Sequence, residues 1–201
     1  MIAIIDYDAG NMKSVIKALH FLDKDYICTN DCDEIYKADH VILPGVGAFG
    51  MAMDQIRNHG VEKVIFDVVK KGTPFMGVCL GMQVLFNESE ENPGVKGLGL
   101  LEGKIKRIPV GEYEKVPHMG WNSLEIKEGS RLLKGIENNP YVYFVHSYYL
   151  EAANPEVVCA TTNYNTLIHA AVEKDNIFGC QFHPEKSSDV GLKILKNFVE
   201  L

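Results

Sequence analysis

The first half of the chain alternates short apolar runs with amphipathic stretches, and this alternation admits few folds. The run "IAIID" (2–6) reads as a buried strand, and Met12, Val15, Ile16, Leu19 and Leu22 then recur at helical spacing. A second strand is expected at "DYIC" (25–28) and a third at "HVILPG" (40–45), stopped by Pro44 and Gly45. Residues 49–58 and 61–71 carry helical patterns broken at Gly60, "PFMGV" (74–78) reads as a strand, and residues 80–87 read as a helix. Strands that alternate with helices imply a parallel sheet covered on both faces.

The second half changes character. "GKIKRIP", "HMGWNSLEI", "YVYFVHSYYL", "EVVCATT", "IHAAVEK" and "NIFGCQF" are strand-like runs with little helix between them. They are expected to extend the sheet with antiparallel strands. "SSDVGLKILKNFVE" closes the chain as a helix, with Ser187 or Ser188 as its N-cap. With no linker in view, the expected architecture is one α/β domain over 1–201, its mixed, mostly parallel sheet flanked by helices.

Composition narrows the partners. The net charge of −7 and the scattering of the 20 basic residues speak against nucleic acid. No apolar run reaches the length of a membrane span, and the start, with Asp6 so near, is read as a first strand and not a leader. Five cysteines at irregular spacing do not form a disulfide framework, which suggests a reducing, cytoplasmic setting.

One cysteine stands apart. In Gly77-Val78-Cys79-Leu80-Gly81 a thiol sits between a strand and a helix, with a glycine two residues to either side. This is the sulfur version of G-x-S-x-G, where small residues let a strained turn close and expose a nucleophile. The helix beginning at Leu80 would aim N–H groups and a positive dipole end at the sulfur. A base is needed, and the base needs an orienting group. "HPE" offers His183 at a strand end and Glu185 two residues on. Cys28, Cys32, Cys159 and Cys180 lack the elbow and read as packing residues; His118 and His146 stay open.

"PGVGAFG" (44–50) contains Gly45-x-Gly47-x-x-Gly50, formally a dinucleotide fingerprint. Three readings stand in order: a loop presenting an N–H to an oxyanion jointly with Leu80, a plain strand-to-helix turn, and a dinucleotide site. The last suffers because the loop follows a third strand and no acidic residue ends a strand at the expected distance.

Together "PGVGAFG", "GVCLGMQ" and "HPEKS", in this order and spacing, resemble the class I (triad) glutamine amidotransferases over nearly the whole chain. The resemblance implies that Cys79 is the nucleophile, His183 the general base and acid, and Glu185 the orienting carboxylate. It implies an oxyanion region at Val46, Gly47 and Leu80, and glutamine-binding roles for Gln83, His146, Ser147 and Tyr148. No metal or cofactor is implied. "DYDAGNMKSV", "PHMGWN", "YFVHSYY", Met82 and Lys186 are similar to the branch that hands ammonia to a (β/α)8-barrel cyclase in histidine biosynthesis. Asn11, Trp121, Asn122, Tyr143 and Lys186 are the expected partner contacts. The competing reading makes Trp121 and Tyr143 core aromatics and Lys186 a solvated charge. It weighs nearly as much for Tyr143, in its strongly apolar strand, but less for Trp121, between Gly120 and Asn122. A silent scaffold that keeps the fold, or a cysteine peptidase, are the competing classes.

Overall fold

The computed structural model describes residues 1–8, 12–111 and 115–201. Its main sheet runs from edge to edge through the strands at 26–29, 2–5, 40–45, 75–79, 177–180, 166–174, 158–164 and 125–126. The parallel part comprises β1 (Ile2–Ile5), β2 (Tyr26–Thr29), β3 (His40–Gly45), β4 (Phe75–Cys79) and β13 (Ile177–Cys180). Strands β12 (Thr166–Lys174), β11 (Val158–Tyr164) and β8 (Glu125–Ile126) continue it antiparallel.

β1, β4 and β13 are buried at every position, as their unbroken apolar runs require. Side chains alternate between two cores. Ala3 and Ile5 join Phe49, Ile56 and Ile65 under α2 (Cys32–Lys37), α3 (Phe49–Asn58) and α4 (Glu62–Lys71). Ile2 and Ile4 join Val15, Leu19, Ile194 and Phe198 from α1 (Met12–Phe21) and α6 (Ser188–Val199).

The structure departs from the sequence reading in four places. The helix read over 80–87 is only α5 (Leu80–Gln83). Beyond it, the carbonyls of Val84, Leu85 and Phe86 accept from Leu98, Leu101 and Gly99, so the 98–101 segment takes the bonds a longer helix would have used. The macrodipole expected behind Cys79 therefore shrinks to the free N–H groups of one turn. α2 went unread because only its Ile35 is buried, although Asp31 caps it by accepting from Asp33 and Glu34. Ser187 stands at the N-cap of α6 without a capping bond. Its buried hydroxyl donates to the His183 carbonyl at 2.6 Å and accepts from Tyr143 N–H at 3.0 Å.

Nor do all second-half strands extend the main sheet. "YVYFVHSYYL" divides at Ser147 into β9 (Tyr141–His146), paired with β7 (His118–Ser123), and β10 (Tyr148–Ala152). β10 pairs with β6 (Gly103–Arg107), which also carries the short β5 (Glu88–Ser89). The 147–148 hinge between two small sheets is thereby set beside the mouth of the main one.

Candidate active site

The C-terminal ends of three neighbouring parallel strands converge, the place where open α/β sheets hold their ligands. Cys79 ends β4 with φ 55° and ψ −111°, a backbone conformation rarely taken by a non-glycine residue. On one side the register pairs Gly45 with Cys79, so the 46–47 loop begins next to the sulfur. On the other it pairs Cys180 with Val78, so Gln181 and His183 emerge beside it.

The bracketing glycines are explained by close approach. A Cβ on Gly77 would lie 2.5 Å from the Gly81 carbonyl oxygen, and one on Gly81 would lie 1.9 Å from the Leu43 carbonyl oxygen. The elbow is wedged against β3 with no room for a methyl group. Below the loop, the buried Tyr7 hydroxyl donates to the Pro44 carbonyl at 2.7 Å.

His183 Nδ1 lies 2.8 Å from Glu185 Oε1, and both side chains are 3% exposed. The carboxylate can only accept here, so Nδ1 carries the proton and the other nitrogen, Nε2, is left for chemistry. Burial works to lower the His183 pKa, but the Cys79 sulfur and the Glu185 carboxylate outweigh it and raise it to about 9. Nε2 is buried without a partner of hydrogen-bonding geometry among the described residues. The sulfur still favours the protonated ring, first as an acceptor for a ring N–H and then by its charge.

Cys79 and His183 line one cavity of about 380 Å³, a size suited to a small-molecule ligand. The same cavity is lined by Val46, Gly47, Leu80, Gln83, His146, Ser147 and Tyr148, every residue expected from the sequence to bind substrate or oxyanion. Gly47 has φ +103°, and no atom lies within 4 Å of where its Cβ would be. Leu80 is the first residue of α5, so its N–H has no partner within the helix. Gln83 does not face the cavity freely: its amide donates to the Tyr148 carbonyl and to Gln181 Oε1, each at 2.9 Å.

Three contributors escaped the sequence reading. Gln181, fully buried, directs its amide nitrogen at the Cys79 sulfur at 3.7 Å; a glutamine inside an apolar strand was the available signal. Glu91 also lines the cavity. It comes from the acid-rich stretch "NESEEN", which looks like any solvated loop. Its carboxylate suits a substrate ammonium, and its Oε2 also accepts from Phe49 N–H at 2.7 Å. Pro117, the third, adds only wall.

The Glu91 bond also disposes of the dinucleotide reading. With Asn92 accepting from Gly50 N–H at 2.8 Å, the start of α3 is capped by two side chains from a distant loop. A carboxylate occupies the position that a pyrophosphate would need.

The expected partner contacts gather on β7, β9 and the turn after His183. Trp121 is 52% exposed. It meets Tyr143 edge-on at 6.1 Å between centroids, and Lys186 Nζ stands 5.8 Å from the Tyr143 ring centre. Met119 and Tyr141 are exposed on the same ribbon. Asn122 is half-buried, its amide bonded inward to the Asn163 carbonyl at 3.0 Å. Asn11 lies outside the described residues.

A thiol on a strained elbow thus stands beside a carboxylate-held imidazole and a glycine loop, and residues 3–201 match the model of glutamine amidotransferase class-I. The chain belongs to that family. It is 51% identical over 201 residues to the imidazole glycerol phosphate synthase subunit HisH of Methanothermobacter thermautotrophicus, covering 100% of this chain and 98% of that protein. It is 49% identical over 203 residues to the HisH subunit of Methanocaldococcus jannaschii, with 100% of both chains covered. Within the family it therefore sits among the HisH subunits. Among solved structures, a glutamine amidotransferase superposes with TM-score 0.78 at 21% identity over 100% of this chain and 98% of its own. PurLQS from Thermotoga maritima gives 0.74 at 18% identity over 99% and 97%. At such identities these two speak for the fold alone.

Proposed function

We propose that residues 1–201 form one glutaminase domain in which Cys79, His183 and Glu185 hydrolyse the side-chain amide of glutamine. The observation that carries the reading is the Glu185-held His183 ring lining the same cavity as the elbow thiol. A protonated His183 is the counter-charge that a thiolate needs. The Cys79 sulfur attacks the amide carbon, and the carbonyl oxygen becomes an oxyanion received by N–H groups of the 46–47 loop and Leu80. The C–N bond then breaks as His183 Nε2–H gives its proton to the leaving nitrogen, releasing ammonia and a glutamyl thioester. Water, deprotonated by His183, attacks the thioester. Glutamate leaves and the thiol returns. Glu91 faces the substrate ammonium, and the 147–148 backbone receives the carboxylate end.

The HisH relatives are named as subunits of a synthase, which supports a partner subunit here. We take that partner to be a (β/α)8-barrel cyclase that uses the ammonia to make imidazole glycerol phosphate and an aminoimidazole carboxamide ribonucleotide. The exposed face carrying Trp121, Tyr143 and Lys186, with Asn122 next to Trp121 on β7, is the docking surface we assign; Asn11 is assigned to it on the resemblance alone. We take the setting to be cytoplasmic, which the five free cysteines support. Glutamate release from glutamine tests the reading, measured for the chain alone and with the cyclase and its nucleotide ligand. Strong stimulation in the complex supports it. Activity retained by a Cys79→Ala protein would refute it.

A further inference from the structure

A line of polar groups runs inward from the β7–β9 ribbon to the Cys79 sulfur, and two histidines that the proposed reaction steps do not use form its middle. His118 and His146 are direct cross-strand partners and only 2% and 6% exposed. His118 Nδ1 lies 3.0 Å from His146 Nε2, and His146 Nδ1 lies 2.8 Å from the Tyr148 carbonyl oxygen. The His118 ring is stacked between Phe144 and Tyr164, with centroids at 4.5 and 3.9 Å. On the far side Asn122 Nδ2 lies 3.4 Å from His118 Nε2.

The partners dictate where the protons are. A carbonyl only accepts, so His146 carries its proton on Nδ1. A neutral His146 then has a bare Nε2, which must accept, so His118 also carries its proton on Nδ1. Its own Nε2 accepts from Asn122. Burial keeps both rings neutral, pushing the pKa of His118 down to about 4 and that of His146 to about 3. The Tyr148 carbonyl at the inner end also accepts from Gln83 at 2.9 Å. Gln83 in turn holds Gln181, whose amide points at Cys79.

We propose that His118 and His146 are positioning residues: a neutral pair, each protonated on Nδ1, that fixes the Tyr148 carbonyl and so sets the 147–148 segment and Gln83 against the substrate. This rests on the glutaminase reading above. Neither ring acts as base, because each nitrogen already has its partner. The outermost group, Asn122, sits between the exposed Trp121 and the buried network, so a shift of the ribbon is felt at the Tyr148 carbonyl.

Two measurements decide it. The first is a 15N spectrum of the imidazole rings of the intact protein at neutral pH, with Cys79 unmodified. Both rings are expected to show a protonated Nδ1 and a bare Nε2; a proton on His146 Nε2 overturns the proposal. The second is glutaminase kinetics in the assembled complex for His118→Phe and His118→Asn. Phenylalanine keeps the ring between Phe144 and Tyr164 but deletes the donor, leaving His146 Nε2 buried and unpaired. We expect kcat/KM to fall about tenfold, mainly through KM, the scale of one lost buried hydrogen bond. Asparagine restores an N–H near the place of Nδ1 and should return most of the loss. If His118→Phe keeps the wild-type kcat/KM, the positioning role is wrong while the glutaminase reading stands. If the wild type itself releases no glutamate, the glutaminase reading falls, and the ring spectrum still judges the proton arrangement.

Discussion

Replacing Gly81 by alanine tests whether close backbone approach, rather than chain flexibility, fixes the elbow. A Cβ there would sit 1.9 Å from the Leu43 oxygen and 2.9 Å from the Leu43 carbonyl carbon. Both atoms are backbone of β3, hydrogen-bonded between β1 and β4, so neither can rotate away. Restoring ordinary contact at 3.4 Å demands that β3 and α5 part by about 1.5 Å. That separation pulls on the rungs that pair Gly45 with Cys79 and Pro44 with Val78. Helix propensity works the other way, because alanine is better than glycine in a helix by about 1 kcal/mol. Overpacking a well-filled core costs about 1–3 kcal/mol and more where nothing flexible can yield. The steric term wins, and we expect a net loss of about 2 kcal/mol or more. Urea unfolding of Gly81→Ala beside Gly72→Ala gives the comparison. Gly72 has φ +89° and no atom within 4 Å of its Cβ position, so it reports backbone strain alone, about 1 kcal/mol. The alkylation rate of Cys79 should fall in Gly81→Ala and not in Gly72→Ala. A Gly81→Ala protein as stable as the wild type, with Cys79 alkylated at the native rate, would refute the reasoning.

Other outcomes follow from the same geometry. A glutamine-like chloroketone should mark Cys79 and leave Cys159, whose pKa burial raises to about 12, and the fully buried Cys180 untouched; the exposed Cys32 is the internal control for unselective labelling. Peptide mapping decides, and labelling of Cys32 faster than Cys79 would count against an activated elbow. Glu91→Gln keeps an oxygen for Phe49 N–H but removes the charge that faces the substrate ammonium. KM for glutamine should rise about tenfold with kcat less affected, and an unchanged KM would remove Glu91 from the site. Acid should destabilise the fold early. His118 and His146 are held neutral, below their ordinary 6.5, so the unfolded chain binds more protons and stability falls as pH drops below that value. Between pH 7 and 5 the loss is up to about 2 kcal/mol per histidine. His183, raised to about 9, contributes stability that is full below 6.5 and lost as pH rises through 9, so its contribution adds nothing to the acid loss. Urea titrations of wild type and His118→Asn at the two pH values check this, with a shallower pH dependence expected in the variant.

The strand–helix alternation was legible because β1, β3 and β4 are buried on both faces and announce themselves as unbroken apolar runs. The elbow was legible because sterics leave few alternatives to glycine at 77 and 81. Contacts between distant segments were not. Nothing near Gln83 indicates that its amide is spent on Tyr148 and Gln181, 65 and 98 residues away. Likewise, nothing near Phe49 indicates that its helix is capped from residues 91 and 92. The length of α5 was misjudged for the same reason: local pattern favours a longer helix, and the 98–101 segment takes its carbonyls. Period-based reading sees one element at a time, whereas the polar atoms of this site are satisfied between elements.

Several departures from local preference gather at one place. Cys79 holds a conformation that costs about 1–3 kcal/mol. His183 Nε2 and Glu185 Oε2 are buried without partners among the described residues, and His146 keeps a ring neutral deep under the cavity wall. Any one of these would be a defect in a core. Around a 380 Å³ cavity at the ends of β3, β4 and β13 they become complementary. The strained turn presents a sulfur, the unpaired Nε2 awaits a proton to take or give, and the loop at Gly47 has space to turn an N–H inward. What holds each in place is satisfied elsewhere: Ser187 ties the His183 turn to Tyr143, Tyr7 props Pro44, and Glu91 joins the start of α3 to the cavity wall. Because Glu91 bonds Phe49 N–H while lining the pocket, a ligand that draws on its carboxylate also pulls on the loop that would receive the oxyanion. The cavity wall and the start of α3 are thus tied through one side chain.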